Sequence, residues 1–230
     1  MLLVFFTSAA SFSQREVFHP EHDNDPFYFG LNFGYSNSFL HYSHTPYFIA
    51  NDSIKATNAV NDKGFILGLM GAARLSNHFD VRFNPQLILS GFKSMAFSLD
   101  STTIIAGLPS YQVQQLPTTI INLPLQLKFN SDRIKNFRVY LFGGIKCDVD
   151  LSYHNRSRND ENIIHLKQFD FGIEGGIGFN FYMPVGIISP EIKFSDGLTN
   201  MLQKNPALKY SNAFDKIQSR MIEFSIILQN

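Results

Sequence analysis

Reading every second residue from Phe27 gives Phe27, Phe29, Leu31, Phe33 and Tyr35; the residues between them are Tyr28, Gly30, Asn32, Gly34 and Ser36. A strand sends successive side chains to opposite faces, so this stretch has one apolar face and one that is small or polar. The pattern returns from Phe79, where Val81, Phe83, Leu87 and Leu89 alternate with Asp80, Arg82, Asn84 and Gln86. It returns again from Ile121, Phe137, Phe169, Ile188 and Ile222. Lys63–Leu75 is the weakest case, Gly-rich with Ile66 and Met70 on the minor face. Together these make eight segments, most of them near the 9–11 residues that a tilted strand needs to cross a bilayer.

The apolar face can pack inward, as in a soluble sandwich or lipocalin-like barrel, or face lipid around a polar lumen. The segments are long for soluble strands, which usually run about 5–6 residues. Phe27, Phe79, Phe129, Phe137, Phe169 and Phe181 sit near segment ends on the apolar side, as an interfacial girdle requires. Glycines recur within the segments, where a small barrel needs bending and close approach. The links alternate in length. Ser76–His78, Ser131–Asn136 and Met183–Val185 are short, whereas Asn37–Asp62, Phe92–Thr119, His154–Lys167 and Asp196–Ser219 are long. An outer-membrane barrel has short periplasmic turns and long outer loops in this order. The expected fold is therefore all-β, an eight-stranded antiparallel up-and-down transmembrane β-barrel of the OmpX/OmpA-like kind.

Composition supports this. Only 17% of the 230 residues are charged, 14% are aromatic, and 19 Lys and Arg balance 19 Asp and Glu. A neutral chain is a poor candidate for nucleic-acid binding. A single Cys excludes a disulfide framework and multi-Cys metal sites. Met1–Ser13 passes from an apolar run into small residues, as a signal peptide does, with cleavage expected before Gln14. Residues 14–25 are then a short periplasmic segment, and 26–230 the barrel in the outer membrane.

The polar parity places Arg74, Asp80, Arg82, Lys128, Arg138, Lys146, Asp148, Asp150, Asp170, Glu174, Glu191, Lys193 and Glu223 inside. An eight-stranded barrel is only wide enough for side chains to fill it. Near-balanced charge there is expected to form a structural ion-pair network rather than a catalytic or conducting site. His19 and His22 beside Asp23 and Asp25 could ligate a metal, but are expected to be solvated. His41, Ser43 and His44 at the start of the first long link could suggest a lipid hydrolase, but lack an acidic orienter nearby. Cys147 falls on the lipid-facing parity. No Gly-rich phosphate loop opens a helix. No enzyme activity, cofactor, metal or small-molecule substrate is expected.

The segments NFRVYLFGGIKCDVD (Asn136–Asp150), QFDFGIEGGIGFNFY (Gln168–Tyr182) and SPEIKFSDGL (Ser189–Leu198), the run NPALKYSNAFDKIQSR, and FYFGLNFGYSNSF at Phe27–Phe39 together resemble the PorT (SprT) family of the Bacteroidetes. The resemblance covers nearly the whole mature chain, and Ser189–Arg220 is its most specific part. It implies a non-enzymatic outer-membrane component of type IX protein secretion, required for export of proteins with a C-terminal signal domain and, in gliding species, of surface adhesins. Its partners would be outer-membrane lipid and other secretion-system proteins, docking around Asp196, Asn200, Asn205, Pro206, Tyr210, Asp215 and Arg220. The alternative is a small barrel of general envelope or adhesion function.

Overall fold

A computed structural model describes residues 16–44, 54–60, 62–99, 111–152, 167–202 and 214–230. The strands are β1 (Phe27–His44), β2 (Ile54–Val60), β3 (Asp62–Arg74), β4 (Phe79–Phe83), β5 (Gln86–Leu99), β6 (Tyr111–Asn130), β7 (Phe137–Asp150), β8 (Phe169–Met183), β9 (Gly186–Gly197) and β10 (Phe214–Gln229). β2 continues β3 in one register along β5, and β4 and β5 share one register along β6. The ten strands therefore form eight staves, each antiparallel to its neighbours in sequence.

The ring closes through β1. It pairs with β3 from Phe27↔Ala73 to Ser38↔Asp62, and with β10 from Gly30↔Gln229 to His44↔Phe214. Closure leaves no free edge in the wall. Along the staves burial alternates strictly: in β9, Ile187, Ser189, Glu191, Lys193 and Ser195 are buried, while Ile192 and Phe194 face out. Phe29, Phe65, Leu69, Leu141, Ile145 and Phe171 are among the large apolar side chains exposed on the outer surface. Such a continuous apolar belt is covered by lipid, not by water.

The strands outrun the alternating segments, which corrects the expected links. β1 runs on to His44 and β2 occupies Ile54–Val60 within the first long link; β5 reaches Leu99, β6 starts at Tyr111, and β10 starts at Phe214. Beyond the lipid belt the outward side chains, such as His41 and Ser43, are polar and exposed, while inward ones such as Leu40 and Ile217 stay buried. The alternation of hydropathy then fades while the hydrogen-bond ladder continues. One consequence is that His41 and Ser43 are strand residues, paired with Gln218 and Lys216, and are exposed.

Two aromatic side chains in the lumen depend on glycines of the next stave. Tyr140 lies opposite Gly178, and Phe142 opposite Gly176. A Cβ on either glycine would collide with the ring it faces. The cross-strand glycine thus provides the floor on which the ring lies. Gly143 and Gly144 offer a direct contrast. A Cβ on Gly144 would run into the Leu125 carbonyl, whereas the nearest atom to one on Gly143 is the Glu174 carbonyl at 3.7 Å. Gly144→Ala is therefore expected to cost about 1–3 kcal/mol through overpacking, and Gly143→Ala close to nothing. Urea unfolding of refolded protein in lipid vesicles, followed by circular dichroism, checks this; equal midpoints for the two variants would contradict it.

Candidate functional site: a filled lumen with a stoppered mouth

The lumen is built in layers. Nearest the short turns, Tyr28 Oη donates to Asp80 Oδ2 at 2.8 Å, and Asn130 Nδ2 donates to the same oxygen at 2.7 Å. Arg74 lies 3.6 Å from the other Asp80 oxygen. Lys128 Nζ donates to Tyr28 Oη at 3.2 Å and sits 4.1 Å from the centre of the Tyr140 ring. The next layer is the fully buried Arg82, which grips Glu191 with both terminal nitrogens, donates Nε to Gln126 Oε1 at 2.6 Å and covers the Phe142 ring at 4.5 Å. Tyr140 Oη adds a second donor to Glu191 at 2.6 Å.

Above it, Lys193 Nζ lies 2.9 Å from Glu223, 3.3 Å from Glu174 and 3.1 Å from Gln86 Oε1. Gln126 Nε2 donates to Glu174, which ties this layer to Arg82. Lys146 then pairs with Asp148 at 2.6 Å, Asn122 donates to Asp148 at 2.5 Å, and Ser219 and Thr199 donate to Asp170 at 2.5 and 2.8 Å. Asp150 accepts the Ser152 N–H at 2.9 Å. All twelve charged residues from Asp80 to Glu223 that the parity assigns inward are buried. The neutral bridges Tyr28, Tyr140, Asn122 and Gln126 complete the network. Their place on the polar parity is the signal that marks them.

The lumen is not polar throughout. Ile66, Ile88, Ile120 and Met221 form one buried apolar cluster, and Tyr28, Met70, Ala72 and Ile227 another nearer the short turns. At the long-loop end Met201 and Leu202 are buried as well. Met201 is held there by its N–H to the Ile217 carbonyl and by Lys167 N–H to its own carbonyl. Asn200 anchors the same turn, accepting from Leu202 and Ile217 and donating to the Asp215 carbonyl at 3.0 Å.

Three residues of the expected docking loop, Asp196, Asp215 and Arg220, belong instead to strands of the wall. Asp196 and Arg220 are register partners on β9 and β10 and form an ion pair at 3.1 Å. The hydrogen-bond ladder continues past the apolar belt and brings them together. Asp215 lies on β10 and is exposed; Asn205, Pro206 and Tyr210 lie outside the described residues, as does Met1–Ser13.

The short-turn mouth is covered by residues 16–25, and here the expectation that His22 is solvated is overturned. His22 sits in a one-turn 3-10 helix (Glu21–Asn24) and is only 6% exposed. It packs edge-on against Tyr28 and Tyr182, with ring centres 5.1 and 6.2 Å away. Arg74 Nη1 donates to the His22 carbonyl at 2.6 Å. Burial, reinforced by the Arg74 charge, pushes the His22 imidazole down to about 4. His19 Nε2 donates to the Met183 carbonyl, 2.9 Å away. Among the described residues no group of three or more His, Cys, Asp or Glu side chains could hold a metal. Local sequence could not show this, because the partners of the segment lie in the turn after β6 and on strands β1, β3, β7 and β8.

A closed eight-stave wall with an apolar belt and a charged interior is the architecture of an outer-membrane β-barrel. Residues 12–203 match the family described as outer membrane protein beta-barrel domain, and the chain belongs to that family. Its location is accordingly the outer membrane. Among solved structures it is similar to the outer membrane protein OprG from Pseudomonas aeruginosa, at 15% identity over 88% of this chain and 94% of that one (TM-score 0.47). It is also similar to Ail, the attachment invasion locus protein of Yersinia pestis (10% identity, 90% and 100% covered, TM-score 0.41), and to Neisserial surface protein A (10%, 89% and 97%, TM-score 0.43). No curated protein matches it.

Two outcomes follow from this geometry. Removing Glu191 leaves Arg82 buried without its counter-charge, so Glu191→Ala is expected to cost about 3–5 kcal/mol, whereas an apolar replacement of both partners costs much less. Urea midpoints of the single and double variants check this. The imidazole of His22 is neutral when docked and takes up a proton near its ordinary 6.5 when released. Docking of residues 16–25 is therefore complete above pH 6.5 and weakens, by up to about tenfold per unit, as pH falls toward 4. Cleavage after Glu21 by a glutamate-specific protease, measured across that range, reports it; His22→Phe should flatten the profile.

Proposed function

We propose that the protein is a non-enzymatic outer-membrane component of type IX protein secretion that acts by contact with other proteins of the machine. The observation that carries the contact mode is the filled lumen: ion pairs and apolar clusters occupy it, so chemistry and partners must lie at the ends and on the outer wall. The choice of machine comes from the sequence resemblance, strongest over Ser189–Arg220. Met1–Ser13 serves as the export signal. By the convention for such barrels the short turns face the periplasm and the long links face outward. On this reading residues 203–213, together with the neighbouring Asn200 and Asp215, form the surface that meets a partner.

The experiment is cargo location in a clean deletion strain of the host bacterium, with periplasm and medium assayed separately for proteins bearing the C-terminal export domain. The expected result is cargo trapped in the periplasm and released when the gene is restored. A restored copy with residues 203–213 shuffled should reach the outer membrane folded and still fail to export. Normal export in the deletion strain would leave the general envelope or adhesion role as the reading.

A further inference from the structure

Glu16–Asp25 is held at the short-turn mouth by contacts that read a peptide main chain. Asn136 accepts the Phe18 N–H through Oδ1 at 2.9 Å and donates Nδ2 to the Glu16 carbonyl at 2.8 Å. An amide side chain used in this way mimics a neighbouring strand: it satisfies one donor and one acceptor of an extended segment and is indifferent to that segment's side chains. Arg133 adds two more main-chain bonds, to the Phe18 carbonyl and, at 3.0 Å, to the His19 carbonyl, while its guanidinium lies over the Tyr182 ring at 3.5 Å. That stacking fixes the fork before any peptide arrives.

Among the described residues, Asp23 is the side-chain charge of the segment that the wall pairs. Asp23 lies between Arg133 at 3.2 Å and Arg138 at 3.0 Å. Arg138 is buried, and its Nε has no hydrogen-bond partner among the described residues. Without the segment, Arg133 and Arg138 would have no carboxylate bonded to them among the described residues. The wall is thus complementary to an anionic peptide, and residues 16–25, with Asp23 in the 3-10 turn Glu21–Asn24, are one such peptide, attached to the first strand through Pro26.

We propose that Arg133, Asn136, Arg138 and Tyr182 form a peptide-binding site for a segment whose main chain bonds Asn136 and Arg133 and whose following 3-10 turn presents an acidic side chain to Arg133 and Arg138, filled in this structure by the chain's own residues 16–25 and open to exchange with a segment of the same chemistry from another protein. The site does not depend on the secretion role, and its test does not use export.

The test uses the full chain carrying Asp23→Lys, in detergent micelles, with a folded barrel verified by its shifted mobility on an unboiled gel. The substituted lysine faces Arg133 and Arg138 and releases the segment. A fluorescently labelled peptide of residues 16–25 is then titrated by anisotropy. Saturable binding is expected, at least about tenfold weaker for the unaltered protein, whose site is filled, and at least about tenfold weaker for the peptide with Asp23→Asn. Adding Arg133→Ala to the chain should abolish binding. Absence of binding to the folded D23K chain, equal binding of a shuffled peptide, or indifference to Arg133→Ala would overturn the proposal. A second measurement covers failure of the D23K chain to fold. Excess peptide with Glu16→Gln and Glu21→Gln, which a glutamate-specific protease cannot cut, should accelerate cleavage of the unaltered protein after Glu21 by displacing its segment. No acceleration at millimolar peptide would equally overturn it.

Discussion

The pairing of β1 with both β3 and β10 is the constraint from which the rest follows. In hydrocarbon no water is available to an unpaired N–H or carbonyl, so a sheet can span only when it has no edge. Closing eight staves fixes the radius, and at that radius the interior admits side chains and little else. Side chains facing inward must therefore satisfy one another. Arg82 meets Glu191, Lys193 meets Glu223 and Glu174, and Lys146 meets Asp148, with amides and tyrosine hydroxyls supplying further donors and acceptors.

Buried ion pairs are weak evidence of stability, because desolvation offsets much of their attraction. Their value here is as a fixed filling. Rings such as Tyr140 and Phe142 lie flat because Gly178 and Gly176 leave them room, and apolar clusters around Ile66 and Met70 interrupt the polar layers. The ends are occupied too, by residues 16–25 on one side and Met201 and Leu202 on the other. At the short-turn mouth, Asn136 and Arg133 bond the main chain of residues 16–25.

The wall was legible in the sequence because lipid outside and charge inside impose the same two-residue rhythm from Phe27–Tyr35 to Ile222–Leu228. The ends of the strands were not. Where the outward side chains turn polar, as at Asn37, His41 and Ser43 or the start of β10, pairing continues without the apolar outer face, and so Asp196 and Arg220 read as loop while sitting opposite each other in the wall. The lumen charges followed from parity, but their partners did not: Arg82 and Glu191 are 109 positions apart, a separation no local pattern encodes. His22 illustrates the same limit. Beside Asp23 and Asp25 it looks like a solvated surface residue, and only the return of the chain to Tyr28, Arg74 and Tyr182 buries it.

The most direct measurement is the ion conductance of the purified full-length protein in a planar lipid bilayer at neutral pH. A lumen filled by paired charges, with residues 16–25 over one mouth and Met201 and Leu202 buried toward the other, should give a folded barrel with no steady conductance steps. Discrete, salt-proportional steps of constant size would contradict this and show that the interior is an open path rather than a filled one.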